Sequence, residues 1–200
     1  MHGVDQVVDV GANIGDFGQI VREEGFDGTI HSFEPLTEAF QRLVERASSD
    51  PRWHCHRLAL GDTAGDRLMN RSANLVSSSL LELTDLCIEQ DATTAYVGQE
   101  GVSLSTLDNI NDLGPGPTWM KLDVQGYELH VLRGGTQFLD RVVGLDCEVS
   151  LVPLYDGQPL VDDVVSWLRE RGFVPSWVEP GVIHSGTGAM LQADMTFERA

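Results

Sequence analysis

The chain has 200 residues, of which 42% are hydrophobic, and its formal net charge is −18. A chain of this length can bury a substantial core without disulfides or a structural metal. Because the phosphate backbone of nucleic acids repels such an acidic surface, nucleic acid is excluded as a favoured partner. The acidic residues are spread along the chain and form no tail, which is typical of a solvated surface in a salty cytoplasm.

The sequence lacks the features of membrane-spanning and secreted proteins. It contains no run of about 18 apolar residues, and its first residues are not a basic region followed by an apolar stretch. Cys55, Cys87 and Cys147 are odd in number and far apart, which favours buried thiols over a disulfide framework or a metal site. We therefore expect a soluble, cytoplasmic protein. The sequence does not determine the oligomeric state, and a homo-oligomer is one alternative.

Strand and helix patterns alternate along the chain. An apolar run stops at Gly11, and apolar residues at helical spacing then continue from Ile14 to Gly25, which predicts strand, glycine turn and helix. In chain order, strands are predicted over residues 6–10, 28–33, 53–60, 102–107, 118–124, 142–149, 173–178 and 190–198. Helices are predicted over residues 14–25, 36–47 and 160–168, and from Tyr127 onward.

This alternation predicts an α/β fold with a Rossmann-like, mostly parallel sheet and helices on both faces. We expect one domain over residues 1–200. The stretch 61–100 is irregular and rich in Ser, Asn, Asp and Thr, so it is predicted to be an insertion or a lid.

A glycine turn follows the first strand, where the sequence reads DVGANIG over residues 9–15. Parallel α/β sheets bind ligands at this carboxyl edge, and Gly11 and Gly15 let the backbone approach a ligand closely. Asn13 stands where a dinucleotide-binding turn needs its second glycine, and Asp9 adds a negative charge beside the turn. A pyrophosphate is therefore disfavoured. S-adenosylmethionine has no phosphate and carries a sulfonium and an ammonium group, so it suits these residues.

Two further acidic residues follow the next predicted strands. Glu34 lies about 20 residues after the turn, where a carboxylate accepts hydrogen bonds from both ribose hydroxyls of a nucleoside. The alternative is that Glu34 only caps the next helix. Asp62, just after the third strand, is expected either to reach the adenine or to belong to an ordinary turn.

A second polar motif, WMKLDVQGYE over residues 119–128, lies where the fifth predicted strand meets its helix. This is the same sheet edge as the glycine turn, so Asp123 is expected to face the methionine end of the cofactor. Seven segments, one of which overlaps this motif, resemble the FkbM-type methyltransferase family and occur in order along most of the chain. They are DVGANIG, SFEP, ALGD, SSSLLE, LSTLD, KLDVQGYELHVLRGG and EVS.

The resemblance implies a class I methyltransferase fold with a last antiparallel strand and S-adenosylmethionine as methyl donor. It also implies O-methylation of a small-molecule or glycoconjugate acceptor, such as a sugar, a glycolipid or a polyketide. The family pattern carries over to Asp9, Gly11, Asn13 and Gly15 for the cofactor loop, to Glu34 for the ribose, and to Asp123, Gly126 and Glu128 for the central acidic motif.

One feature departs from the family. Its members commonly carry a segment, often helical, ahead of the glycine-loop strand, whereas here that strand starts almost at Met1. A cap over the cofactor is therefore expected to be either absent from this chain or supplied by a partner subunit or by residues 61–100.

Methyl transfer to a hydroxyl needs a group that takes up the proton. Asp123 is the first candidate for this base, with a helix-capping role as its alternative. Glu128 and Glu148 are further candidates for the base or for orienting the acceptor; alternatively, Glu128 is solvated and Glu148 has a structural partner. Lys121 is expected to pair with a carboxylate, and the loop 155–157 to line the acceptor site or to form a plain turn.

Three other interpretations stay open. A hard divalent cation held by Asp123 and Glu148, with Asp146 or His130, is a less favoured addition to the site. A non-catalytic S-adenosylmethionine-binding or interaction module would retain the fold, although the intact acidic motifs argue against it. An NAD-dependent oxidoreductase would bind nicotinamide cofactors instead.

Overall fold

The computed structural model describes residues 3–200. Within them the strands are β1 (Gln6–Val10), β2 (Thr29–Phe33), β3 (Trp53–His56), β4 (Ala59–Leu60), β5 (Gly65–Ser72), β6 (Tyr96–Ser105), β7 (Thr118–Leu122), β8 (Val142–Ser150), β9 (Phe173–Pro180) and β10 (Gln192–Arg199). The α-helices are α1 (Asp16–Glu23), α2 (Thr37–Ala47), α3 (Asp85–Gln90), α4 (Glu128–Arg133) and α5 (Val161–Arg169). Short 3-10 helices lie at Ala92–Thr94, Leu107–Asn109 and Phe138–Arg141. None of the helices in this part of the chain combines the length and the apolar character needed to cross a membrane.

The main sheet has the strand order β3-β2-β1-β7-β8-β10-β9. β1 pairs in parallel with β2 on one side and with β7 on the other, so Val10 lies beside both Phe33 and Leu122. β10 runs antiparallel to β8 and β9, which confirms the predicted mostly parallel sheet with a final antiparallel strand. The strand order switches between β1 and β7, and such a switch leaves a crevice at the carboxyl ends of the strands.

Helices cover both faces of the main sheet. The five residues of β1 are all buried, and their side chains alternate between the two faces. Val7 packs with Val21 of α1 and Leu43 of α2 in one apolar cluster. Val8, on the other face, belongs to a larger cluster that includes Leu168 of α5 and several apolar residues of α4. Burial on both faces explains why β1 reads as a nearly continuous apolar run.

A second, three-stranded sheet differs from the sequence prediction. The third strand of the main sheet ends at His56, because β4 pairs with β6 and not with β2. The prediction of an irregular stretch over residues 61–100 is wrong, since β5 pairs antiparallel with β6 and α3 follows. The strand predicted at residues 102–107 is the second half of β6. The first four residues of β5 are exposed, so no apolar alternation marks this strand in the sequence.

Candidate functional site

A cleft opens at the carboxyl ends of β1, β2 and β7. About 660 Å³ of space not filled by protein atoms lies in it, part of which is open to solvent. Apolar lining comes from Val10, Phe33, Leu36, Leu58, Ala59, Leu60, Met69, Leu75, Val76 and Leu80, and polar lining from Asn13, Glu34, Ser78, Asp123, Gln125 and Tyr127. Among the residues that the structure describes, no lysine, arginine or histidine lines the cleft. Its charged groups are therefore the carboxylates of Glu34 and Asp123.

The turn after β1 approaches the loop after β7 so closely that only glycine fits. Gly11 has a φ of 81°, and a Cβ on it would lie 1.8 Å from the carbonyl oxygen of Asp123. Gly15 has a φ of 88°, and its Cβ would lie 2.8 Å from a methyl carbon of Leu43. Asn13 also has a left-handed backbone, with a φ of 49°, which asparagine tolerates better than most residues. Gly11 thus lets the two loops approach each other at the cleft, whereas Gly15 packs against α2 and does not line the cleft.

Glu34 bridges the turn after β1 and the start of α2. Its Oε2 accepts a hydrogen bond from the Asn13 backbone N–H at 3.0 Å, and its Oε1 accepts one from Leu36 N–H at 2.8 Å. The side chain lines the cleft although the residue is only 6% exposed. Burial raises the pKa of Glu34 to about 7, against the opposing effect of the two N–H donors. The Glu34 side chain therefore lines the cleft, as expected for a residue that binds a ligand, and it also contacts the start of α2, as expected for the alternative helix-capping role.

Asp9 lies beneath the turn and does not line the cleft. It is fully buried, and its Oδ2 accepts a hydrogen bond from Ser32 Oγ at 3.2 Å. Its Oδ1 is buried and has no hydrogen-bond partner within residues 3–200. Burial raises the pKa of Asp9 to about 6, while the charge of Lys121 acts in the opposite direction. One carboxylate oxygen is thus left able to accept a hydrogen bond next to the turn.

Asp123 is held from two sides at the edge of the cleft. Its Oδ2 accepts a hydrogen bond from Lys121 Nζ at 3.0 Å, and its Oδ1 accepts one from Gln125 Nε2 at 2.8 Å. The predicted pairing of Lys121 with a carboxylate is thereby confirmed. Burial alone would lower the pKa of Lys121, but the charges of Asp123 and Asp9 outweigh it and raise this pKa above its ordinary value. The Asp123 side chain remains 32% exposed, so a bound molecule can reach it.

Glu148 on β8 lies behind this carboxylate and does not line the cleft. Its Oε2 accepts hydrogen bonds from Gln125 Nε2 at 2.9 Å and from Gln192 Nε2 at 3.0 Å. Burial, followed by the charges of Asp123 and Glu128, raises the pKa of Glu148 well above its ordinary value. The structure thus brings Glu148 and Asp123 to the same amide nitrogen.

Glu128 serves the loop between β7 and α4. Its Oε1 accepts hydrogen bonds from the backbone N–H groups of Val124 at 3.0 Å and Gly126 at 3.2 Å. The residue is 5% exposed and does not line the cleft, and burial raises its pKa to about 7. Glu128 is therefore neither solvated nor placed beside the cleft, and its oxygen fixes the backbone that carries Asp123 and Gln125.

Asp62 does not line the cleft, and of the groups named for the metal alternative only Asp123 does. Asp62 Oδ2 is 2.8 Å from Nδ1 of His130, an ion pair when the histidine is protonated. Asp146 accepts hydrogen bonds from Trp119 Nε1 at 2.8 Å and Thr196 Oγ1 at 2.7 Å. Within residues 3–200 no group of three or more His, Cys, Asp or Glu side chains has the arrangement to hold a metal ion. His130 and Asp123 are thus not brought together.

Two parts of the cleft have no counterpart among the sequence-predicted site residues. Gln125 contacts both Asp123 and Glu148, yet an uncharged glutamine in the second motif gives no sign of this. Leu75 and Val76, from the stretch predicted as an insertion or lid, form part of the apolar wall. Met69 and Leu80 of the same stretch also line the cleft, and the polar composition of the stretch gives no sign of which side chains do so.

The comparisons with known proteins agree with this geometry. Residues 9–175 match the model of the methyltransferase FkbM domain. The hexuronic acid methyltransferase AglP of Haloferax volcanii is 28% identical over 143 residues, which are 69% of this chain and 53% of that protein. The chain therefore spans about half the length of this relative.

Solved structures with bound or expected methyl donors share the fold. The magnesium protoporphyrin IX methyltransferase of Synechocystis, crystallised with S-adenosylmethionine, aligns with a TM-score of 0.53 and 9% identity, covering 99% of this chain and 71% of its own. An rRNA methylase of Streptococcus thermophilus aligns with a TM-score of 0.51 and 11% identity, covering 98% and 87%. The predicted class I methyltransferase fold is thus confirmed, while identities this low carry no statement about substrates.

Proposed function

Because the chain belongs to the FkbM methyltransferase family, we propose that it transfers a methyl group to a hydroxyl of a sugar or sugar-containing acceptor. The cofactor is S-adenosylmethionine. The proposal depends mainly on one observation. Within residues 3–200, the ionisable side chains of Glu34 and Asp123 that line the cleft are both acidic. Such a lining suits a cationic, phosphate-free nucleoside and would repel the phosphates of a dinucleotide.

The residues at the cleft fit this cofactor. Glu34 retains free lone pairs beside its two N–H donors, so its carboxylate can accept hydrogen bonds from ribose hydroxyls. The backbone at Gly11 lines the cleft where a Cβ would collide with the neighbouring loop. Apolar side chains such as Phe33 and Leu60 offer a surface for the adenine ring. Asp123 would face the positively charged methionine end.

Asp123 is the group proposed to take up the acceptor's proton. When bound, the cofactor supplies an electrophilic methyl group that leaves sulfur as the acceptor oxygen bonds to it, so the hydroxyl proton has to be removed. The Asp123 carboxylate is exposed to the cleft and is fixed by Lys121 and Gln125, which is the geometry that a positioned base needs. Holding acceptor and base in place supplies much of the rate enhancement in a displacement of this kind.

The acceptor class is supported by the likeness to the hexuronic acid methyltransferase of Haloferax volcanii. A hexuronic acid offers a carboxylate as well as hydroxyls to a methyl donor. We propose a hydroxyl as the nucleophile, because a substrate carboxylate at the reacting position would be repelled by Asp123. Leu75 and Val76 form part of the apolar wall, so the chain itself covers part of the cleft.

Calorimetric titration with S-adenosylmethionine and with S-adenosylhomocysteine tests the first part of the proposal, and the absence of binding by both would refute it. Turnover is measured as the release of S-adenosylhomocysteine with two acceptors, the methyl glycoside of glucose and the methyl glycoside of glucuronic acid with its carboxylate free. Asp123→Asn is expected to lower turnover by about 100-fold or more, in the range of a lost general base, while cofactor affinity changes only a few-fold. The opposite pattern would assign Asp123 to cofactor binding.

The methylated product distinguishes the two kinds of nucleophile. A methyl ester of the glucuronide is cleaved by mild alkali, whereas a methyl ether survives it. Alkali-stable product is expected from both acceptors. Alkali-labile product from the glucuronide alone would show that a carboxylate is the nucleophile and would refute the hydroxyl assignment.

A further inference from the structure

We infer that Gln125 is a positioning residue for the proposed reaction: it fixes the Asp123 carboxylate for proton uptake, and Glu148 acts only through it. This inference rests on the proposed function in one respect, namely that Asp123 takes up the acceptor's proton. The contacts from which it is drawn are independent of the acceptor's identity.

Every polar position of the Gln125 side chain has a partner. Its Nε2 donates hydrogen bonds to Asp123 Oδ1 at 2.8 Å and to Glu148 Oε2 at 2.9 Å. Its Oε1 accepts a hydrogen bond from the hydroxyl of Tyr155 at 2.6 Å. An amide has two N–H donors on one nitrogen, so this arrangement uses both of them. The residue is only 9% exposed, so little water competes for these bonds.

The Tyr155 hydroxyl determines which end of the amide faces the carboxylates. If the amide turned over, its carbonyl oxygen would face the Asp123 carboxylate, which is an acceptor and repels it, and the Tyr155 hydroxyl would lose its acceptor. Tyr155 is almost completely buried, at 1% exposure, and its hydroxyl lies 3.4 Å from the Ser77 carbonyl oxygen, a longer second contact. The phenol therefore has a fixed place from which to donate.

The backbone of Gln125 is fixed as well. Its φ is 56°, a left-handed value that is unfavourable for a residue with a side chain, and its carbonyl oxygen accepts a hydrogen bond from Ser79 Oγ at 2.7 Å. Backbone conformations of this kind persist where the surroundings impose them and are concentrated at functional sites. Here the surroundings are Ser79 from the stretch 61–100 and Tyr155 from the loop after β8.

These contacts separate the roles of the two carboxyl groups. Asp123 lines the cleft, whereas Glu148 does not, and Glu148 is also held by Gln192 Nε2 at 3.0 Å. Burial and the neighbouring charges raise the pKa of Glu148 well above its ordinary value, and a protonated carboxyl group still accepts hydrogen bonds through its carbonyl oxygen. Glu148 can therefore hold Gln125 in place without carrying a negative charge.

The contacts are tested first on the cofactor-free protein by nitrogen–proton NMR of the side-chain amides. The Gln125 signal is assigned by its absence in Gln125→Glu. Its protons are expected to exchange with water at least about tenfold more slowly than those of Gln19, whose amide hydrogen bond to Glu23 is exposed. Tyr155→Phe removes the hydroxyl that donates to Gln125 Oε1, so it should shift the Gln125 signal and leave the Gln19 signal in place. Equal exchange of Gln125 and Gln19, or no shift with Tyr155→Phe, would overturn the inference.

Turnover then separates a positioning residue from a merely structural one. Gln125→Glu keeps the shape but replaces the donating nitrogen by an oxygen, so kcat is expected to fall about 10- to 100-fold with the KM for the cofactor nearly unchanged. The added carboxylate should also move the rising limb of the pH–rate profile to higher pH by about one unit. Glu148→Gln retains an oxygen that can accept from Gln125, so its loss of kcat is expected to be smaller than that of Gln125→Glu.

Two results in these kinetics would contradict the inference. A loss with Glu148→Gln as large as that with Asp123→Asn would make Glu148 the base, and an unmoved pH profile for Gln125→Glu would leave Gln125 only a structural role. Failure of cofactor binding or of all turnover in the wild type would instead refute the proposed function. The NMR result on the cofactor-free protein would still decide whether the Gln125 contacts exist.

Discussion

Replacing Gly11 by alanine tests the close approach of the two loops that form the cleft. A Cβ at this position would lie 1.8 Å from the carbonyl oxygen of Asp123, and the φ of 81° is unfavourable for alanine. The left-handed backbone costs about 1–2 kcal/mol, and pressing a methyl group against fixed backbone adds about 1–3 kcal/mol. We therefore expect Gly11→Ala to lower the free energy of unfolding by about 2–5 kcal/mol and to displace the loop that carries Asp123.

Gly25→Ala is the matched control, because Gly25 has a φ of 88° but nothing lies within 4 Å of its Cβ position. It should show only the backbone cost of about 1–2 kcal/mol. Urea unfolding gives both free energies, and calorimetry gives the affinity for S-adenosylmethionine. Gly11→Ala should weaken that affinity at least about tenfold, whereas Gly25→Ala should leave it within about twofold. Equal losses of stability with unchanged cofactor affinity in both variants would refute the reasoning from the Asp123 contact.

Three further predictions follow from the charged groups. Glu34→Ala removes the proposed acceptor of two ribose hydrogen bonds and should weaken cofactor binding about 10- to 100-fold, measured by calorimetry; unchanged affinity would exclude Glu34 as a ligand. Glu128 has a folded-state pKa of about 7, above its ordinary 4.5, so ionising it costs stability as the pH rises through this window. Glu128→Gln removes the ionisable group but retains the acceptor oxygen. Between about pH 5 and about pH 8 its free energy of unfolding, measured in urea, should rise relative to that of the wild type by at most about 3 kcal/mol. A fall relative to the wild type over this range would contradict the sign. Because the net charge is −18, raising KCl from about 0.1 M to about 1 M should raise the Tm by screening self-repulsion, and a falling Tm would argue that attractive ion pairs dominate.

The glycine turn could be predicted from the sequence because each of its parts is local. A buried strand, Gly11 and Gly15 specify a turn at a parallel sheet edge, and a carboxylate at the end of the next strand has to lie nearby. Glu34 accordingly lies in the cleft, within hydrogen-bond distance of Asn13 in the turn. The parallel pairing of β1 with β2 is enough to bring Glu34 to the turn.

The position of the second motif at the sheet edge could be predicted from the sequence, but the contacts of its side chains could not. Strand alternation ends at Leu122, and Gln125 and Gly126 then adopt φ values of 56° and 94°. Left-handed residues in succession redirect the chain, so the direction of Glu128 does not follow from counting along the strand. Glu128 turns back to the loop's own N–H groups, and Gln125 takes the position between the carboxyl groups.

Strand β5, within the stretch 61–100, could not be predicted from the sequence for a different physical reason. Periodicity reveals a strand when one of its faces is buried and the other exposed. The first four residues of β5 are exposed on both sides, and its partner β6 is distant in sequence, so neither alternation nor a short hairpin turn marks the pair. Asp62, at the start of this stretch, does not line the cleft and lies against His130.

The single lysine of the chain explains how so acidic a site stays folded. Lys121 lies beside Asp9 in the register of β1 and β7 and donates to Asp123. Without this cation the fully buried Asp9 would face a second carboxylate with no compensating charge, at a cost of several kcal/mol or the uptake of a proton. With it, these three residues carry one net negative charge, and Glu34, whose pKa is raised to about 7, is a second acidic group lining the cleft. The acidic character that composition assigns to the surface therefore becomes, at the cleft, a preference for a cation over a phosphate.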